Sequence, residues 1–148
     1  MQYIEAPNLE PFKYESIFLA GGIVGCPDWQ SDIVEKLKNC VELTIVNPRR
    51  KDFPINDPKA APHQIYWEYL MLREVDMISF WFPKETLCPI VLYELGAWSM
   101  SQKPLFVGIE SGYERQQDVE IQTKLVRPDV DIVYSIEDLM HQIRKEMV

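Results

Sequence analysis

The chain is poor in the residues from which metal centres and disulfide frameworks are made. It has two histidines and three cysteines, Cys26, Cys40 and Cys88, an odd count with no CxxC spacing. Neither a zinc site nor a set of disulfides is indicated, and reduced thiols are the expectation. Glycine is scarce too, six in all. No GxGxxG run joins an apolar stretch to a helical one, so a nicotinamide or flavin dinucleotide is not supported. Basic residues are outnumbered, 15 Lys and Arg against 23 Asp and Glu for a net charge of -8. That balance disfavours a nucleic-acid backbone or an anionic membrane as the main partner. No apolar run reaches membrane-span length, and residues 1–7 lack the basic flank and apolar core of a secretion signal. The expectation is a soluble, cytoplasmic protein that acts on a small molecule, with no metal and no cofactor.

What is present is apolar: 47% hydrophobic and 11% aromatic residues in a chain of 148, ample for one packed domain over 1–148. Apolar runs at 16–20, 41–46, 77–82, 104–109 and 131–134 read as five strands. Helical patterns lie between them. One opens at Asp28 and carries Ile33, Leu37 and Cys40 on one face; a second covers 63–76; a third starts at Pro89, a residue suited to a first helical turn. Ser135-Ile136-Glu137-Asp138 reads as a capping box opening a last helix, with Leu139, Ile143 and Met147 on one face. Strands alternating with helices, without internal repeats, predict a three-layer α/β/α sandwich on a five-stranded parallel sheet. Residues 1–14 hold two prolines and no clear period, and read as an arm laid over the domain. Residues 110–117 read as a polar loop.

The chemistry centres on residues 86–98. The only charge in the helix from Pro89 is Glu94, whose neighbours three and four positions away are Ile90, Val91, Ala97 and Trp98. A carboxylate among apolar side chains is either satisfied by a donor, or reaches water past its neighbours, or has a raised pKa suited to catalysis. Gly21-Gly22 ends the first strand, where paired glycines either let the backbone approach a ligand or simply make a tight turn. Asn47-Pro48-Arg49-Arg50-Lys51 follows the second strand with three consecutive cations, suited to a phosphate or carboxylate or to a solvated loop. Ligands of parallel sheets bind beyond the carboxyl ends of the strands. Gly21, Gly22, Asn47, Arg49, Trp81 and Glu94 are expected to gather there.

In their order and spacing these pieces resemble the nucleoside 2-deoxyribosyltransferase family and its N-glycosidase relatives. The likeness runs from about Ser16 to Gly108. It rests on Phe18-Leu19-Ala20-Gly21-Gly22-Ile23, Asn47-Pro48-Arg49-Arg50, Gln64-Ile65-Tyr66-Trp67-Glu68, Asp76, Phe80-Trp81-Phe82-Pro83 and above all Tyr93-Glu94-Leu95-Gly96-Ala97. The resemblance implies a flavodoxin-like fold, cleavage of the N-glycosidic bond of deoxynucleosides, transfer of the sugar to a free nucleobase, and homo-oligomers whose sites lie between subunits. It implies Glu94 as the nucleophile. Glu68, by its position in the preceding helix, would serve the departing base, with Gln64 and Trp67 contacting base or sugar. Trp81 and Trp29 either stack on the base or belong to the core, and Gly21, Gly22 and Ile23 would lie against the sugar. Asp76 belongs to the matched pattern before the central strand. The chain departs from that pattern at Cys88, where members often carry a base-holding aspartate, and at Ile17, aligned with a tyrosine that steadies the nucleophile. The competing expectations are a hydrolase using the same glutamate, and a nucleotide sensor that binds without turnover. A flavodoxin-type electron carrier is disfavoured, because Gly21-Gly22-Ile23-Val24-Gly25 is not a Ser/Thr-rich phosphate loop.

Overall fold

A computed structural model describes residues 1–147 and shows six parallel strands. In chain order the strands are β1 (Gln2–Glu5), β2 (Glu15–Gly21), β3 (Leu43–Asn47), β4 (Met77–Phe82), β5 (Leu105–Ile109) and β6 (Ile132–Val133). The helices are α1 (Trp29–Leu37), α2 (Ala60–Glu74), α3 (Pro89–Ser99), α4 (Gln116–Val126) and α5 (Ile136–Glu146). Sheet order is β1-β3-β2-β4-β5-β6. Without β1 this is the doubly wound order of a flavodoxin-like fold, in which the winding reverses between β2 and β4 and leaves a crevice at their carboxyl ends.

Two expectations are corrected. The sheet has six strands rather than five: residues 2–5 are not an arm but an edge strand, with Gln2 opposite Thr44 and Glu5 opposite Asn47 on β3. Where a polar loop and an unassigned stretch were expected, α4 runs from Gln116 to Val126, seating only Val119 and Thr123 in the interior.

Strand alternation sorts the core into two layers. On one face Phe18, Ala20, Ile78, Phe80 and Phe82 meet α2 and α3 through Trp67, Met71, Val91 and Leu95. On the other, Ile17, Leu19, Met77 and Trp81 meet α1 and α5 through Ile33, Leu37, Leu139 and Ile143. The helix starts are specified locally. Asp28 caps α1 by accepting from the Ser31 N–H at 3.1 Å, and Ser135 caps α5 by accepting from the Asp138 N–H at 3.1 Å. Helix α3 has no side-chain cap; Pro89 supplies its first turn, and Cys88 before it holds a left-handed φ of 52°. Among the described residues no helix is long and apolar enough to cross a membrane.

Candidate active site

The turn after β2, the loop after β3, the outer half of α2 and the first turns of α3 enclose a cavity of about 530 Å³ at the β2/β4 switch point. That volume suits a small organic ligand. Glu94 projects into it from α3 and Glu68 from α2, each half-buried. Burial pushes the Glu68 carboxyl up to about 7. Burial, reinforced by the Glu68 carboxylate nearby, pushes Glu94 up to about 8. No cation or donor lowers either value. Two carboxyls of raised pKa in one apolar hollow therefore share protons near neutrality, so that one of them ionises while the other stays neutral.

The residues around the pair are held by the fold rather than by one another. The Trp29 indole N–H and the Gln30 amide both donate to the Gly22 carbonyl, at 2.9 and 3.2 Å, and fix the turn after β2. The two glycines are explained by packing within the chain. A Cβ at Gly21 would stand 2.3 Å from the Trp29 ring and 2.6 Å from the Trp81 carbonyl, and one at Gly22 would stand 2.5 Å from Pro83. Cys88, on the cavity wall, keeps its strained φ because its carbonyl starts α3 by accepting from Leu92 and the neighbouring Leu87 carbonyl accepts from the Tyr113 hydroxyl at 2.7 Å. Burial pushes the Cys88 thiol up to about 11, so it is a neutral wall group.

Of the residues singled out from sequence, the structure brings together Gly21, Gly22, Ile23, Gln64, Glu68, Cys88 and Glu94 around this cavity. The others sit elsewhere. Trp81 points to the opposite face of the sheet, its indole lying where a Gly108 Cβ would be, and Trp29, the first residue of α1, is buried in the same core layer. Neither can stack on a ligand in the cavity. Trp67 packs on Phe18 and donates to the Asn8 carbonyl at 2.7 Å. Asn47 donates to the Tyr3 hydroxyl and accepts from the Arg49 N–H. Arg49 is a strut, its guanidinium donating to the Cys26 and Pro27 carbonyls and to Gln30. Asp76 lies at the amino end of β4, the far end of the sheet, and accepts from the Ser16 N–H and hydroxyl at 2.8 Å. Phe53, Ile55, Thr86 and Ile90 line the cavity without having been picked out as contacts, and Arg50 lines it as one of the cations expected to meet an anion. For Arg50 the cation triplet was the available signal, but sequence could not say which of the three would turn inward.

A family model described as nucleoside 2-deoxyribosyltransferase like matches residues 14–113. The chain belongs to this family. No curated protein matches it. The matched span of this nucleoside 2-deoxyribosyltransferase-like chain contains β2 through β5 and every cavity residue named above. It leaves outside the edge strands β1 and β6 and the helices α4 and α5.

Proposed function

We propose that the protein cleaves the N-glycosidic bond of a 2′-deoxynucleoside and transfers the deoxyribosyl group to a second nucleobase. The observation that carries this reading is the pair Glu94 and Glu68 in one apolar cavity at the switch point, free of any cation that would hold them both ionised. A Glu94 carboxylate oxygen attacks C1′ from the side opposite the base. The C1′–O bond forms as the C1′–N bond breaks, and the bonding pair leaves with the base nitrogen. The proton that the free pair keeps on Glu94, the group of higher value, passes to Glu68 as Glu94 becomes the nucleophile, and Glu68 delivers it to a ring nitrogen of the departing base. A second base then attacks C1′, expels Glu94 and returns a proton to Glu68, which restores the starting state and gives overall retention.

With water as the second nucleophile the same site becomes a hydrolase. Incubation with a deoxynucleoside and a different free base separates the outcomes. A new nucleoside is expected; free deoxyribose alone would make the protein a hydrolase. Ligand-dependent thermal stabilisation with no product from purine or pyrimidine substrates would overturn the catalytic reading in favour of a sensor. A Glu94→Ala change should abolish product while leaving nucleoside binding measurable.

A further inference from the structure

We propose that Arg50 is the anchor for a 5′-phosphate, so that the preferred substrates are deoxynucleoside 5′-monophosphates. The proposal rests on the glycosidic-bond reading of the cavity for the placement of the sugar.

Glu68, Glu94 and Arg50 all line the cavity, and Arg50, on the loop after β3, is the only cation among its described lining residues. Both carboxyls are raised by burial rather than held ionised by a cation, and among the described residues no salt bridge joins them to Arg50. Among the described residues its guanidinium has no salt-bridge or hydrogen-bond partner and rests over the Phe53 ring, with Cζ 5.3 Å from the centroid. Arg49 next to it is consumed by three protein acceptors, and its Nη1 also lies 3.7 Å from an Asp28 carboxylate oxygen.

The backbone around Arg50 is tied down while its side chain is not. The Pro48 carbonyl accepts from Gln64 Nε2 at 2.9 Å, the Arg49 N–H donates to Asn47 Oδ1 at 2.9 Å, and the Lys51 N–H donates to Glu5 Oε2 at 3.2 Å. A pinned loop that presents an uncommitted guanidinium at a cavity is preorganised for an anion, and a guanidinium matches phosphate oxygens in bidentate fashion. In a protein of net charge -8 a dianionic ligand also needs a local cation to be admitted. A ligand that meets both the carboxyls and Arg50 carries a reacting carbon and an anion on one small molecule. A deoxyribose does this, with C1′ at one end and the 5′-phosphate at the other.

The test compares kcat/KM for matched pairs, 2′-deoxyadenosine against its 5′-monophosphate and thymidine against thymidine 5′-monophosphate, in the wild type and in Arg50→Met and Arg50→Lys. The nucleotide should be favoured at least ~10-fold by the wild type, Arg50→Met should erase that ratio, and Arg50→Lys should restore part of it. Added salt should raise KM for the nucleotide and leave the nucleoside unchanged. Nucleosides turned over as well as nucleotides, or a ratio unaltered in Arg50→Met, would overturn the proposal and leave the cleavage reading standing. Binding of 2-deoxyribose 5-phosphate, followed by thermal shift, needs no chemistry. If no substrate is turned over but this sugar phosphate stabilises the wild type and not Arg50→Met, the cleavage reading fails and the phosphate site stands. If it stabilises neither, or both equally, the phosphate site is refuted.

Discussion

Glu94 carries a cost as well as a chemical role. The folded chain holds protons on Glu94 up to about 8 and on Glu68 up to about 7, whereas the unfolded chain releases them near the ordinary value of 4.5. Unfolding between those values therefore releases protons, and stability falls as pH rises through that window. Glu94→Gln removes the charge that burial disfavours. It should be more stable than the wild type at pH 8, by on the order of a few kcal/mol and several degrees in Tm, and the advantage should shrink to nothing below pH 4.5. Calorimetry across that range checks it. The same variant should lose at least about a thousandfold in turnover.

Activity needs one proton between the pair, so kcat/KM should trace a narrow bell about the values of 7 and 8. It falls on the acid side as both carboxyls protonate and on the alkaline side as both ionise. Glu68→Gln should remove the alkaline limb, because the neutral amide has no proton to lose. It should slow departure of ordinary bases by about 10²–10⁴-fold and hardly slow a substrate whose leaving group needs no proton. Relieved of Glu68's charge, Glu94 should titrate lower, visible as an acid limb displaced downward.

Among the elements, what could be read from the chain follows burial. Strands β2 to β5 are continuous apolar runs because helices cover both faces of a parallel sheet, and such runs announce themselves. Strand β1 does not, since Gln2–Glu5 alternates buried and half-exposed residues over only four positions at an edge. Helix α4 buries Val119 and Thr123 alone and carries no strong apolar stripe. The same physics governed the site. Glu94 was legible because a single charge in an apolar helix is conspicuous. Trp81 takes the core alternative rather than the stacking one, as period-two alternation requires by setting it on the face of Met77 and Ser79, opposite Phe80 and Phe82. Asp76 was grouped with the site by pattern, although it precedes β4 and so must lie at the sheet's amino end.

Glycines test this account of the elements in opposite directions. Gly21→Ala should destabilise by about 1–3 kcal/mol, because its Cβ would meet the Trp29 ring and the Trp81 carbonyl. Gly96→Ala, in the middle of α3 with nothing within 4 Å of the new carbon, should stabilise by about 0.5–1 kcal/mol. Chemical denaturation of the two variants checks both signs.

At the scale of the whole molecule, the outer face of α3 is the anomaly. Ile90, Tyr93 and the C-cap residue Met100 are 65%, 79% and 78% exposed, and the helix has no charge in its first or last turn. On α2, Tyr66 and Tyr69 stack with ring centroids 6.1 Å apart, both exposed. A surface of this kind is unusual on a monomer. We propose that a second copy of the chain covers it. Two molecules of net charge -8 repel one another wherever carboxylates face, so an uncharged stripe is where they can meet. Light scattering should then show a dimer or a higher oligomer, persisting or tightening as salt screens the net repulsion; a monomer at every protein and salt concentration would refute it. The stripe begins at Ile90, which also lines the cavity, so the partner copy would stand at the cavity mouth. A Tyr93→Glu and Met100→Glu double variant should therefore be monomeric with an intact fold, and its KM should rise while kcat holds. A monomeric variant with unchanged KM would support dimerisation through this stripe and show that the partner copy takes no part in closing the site.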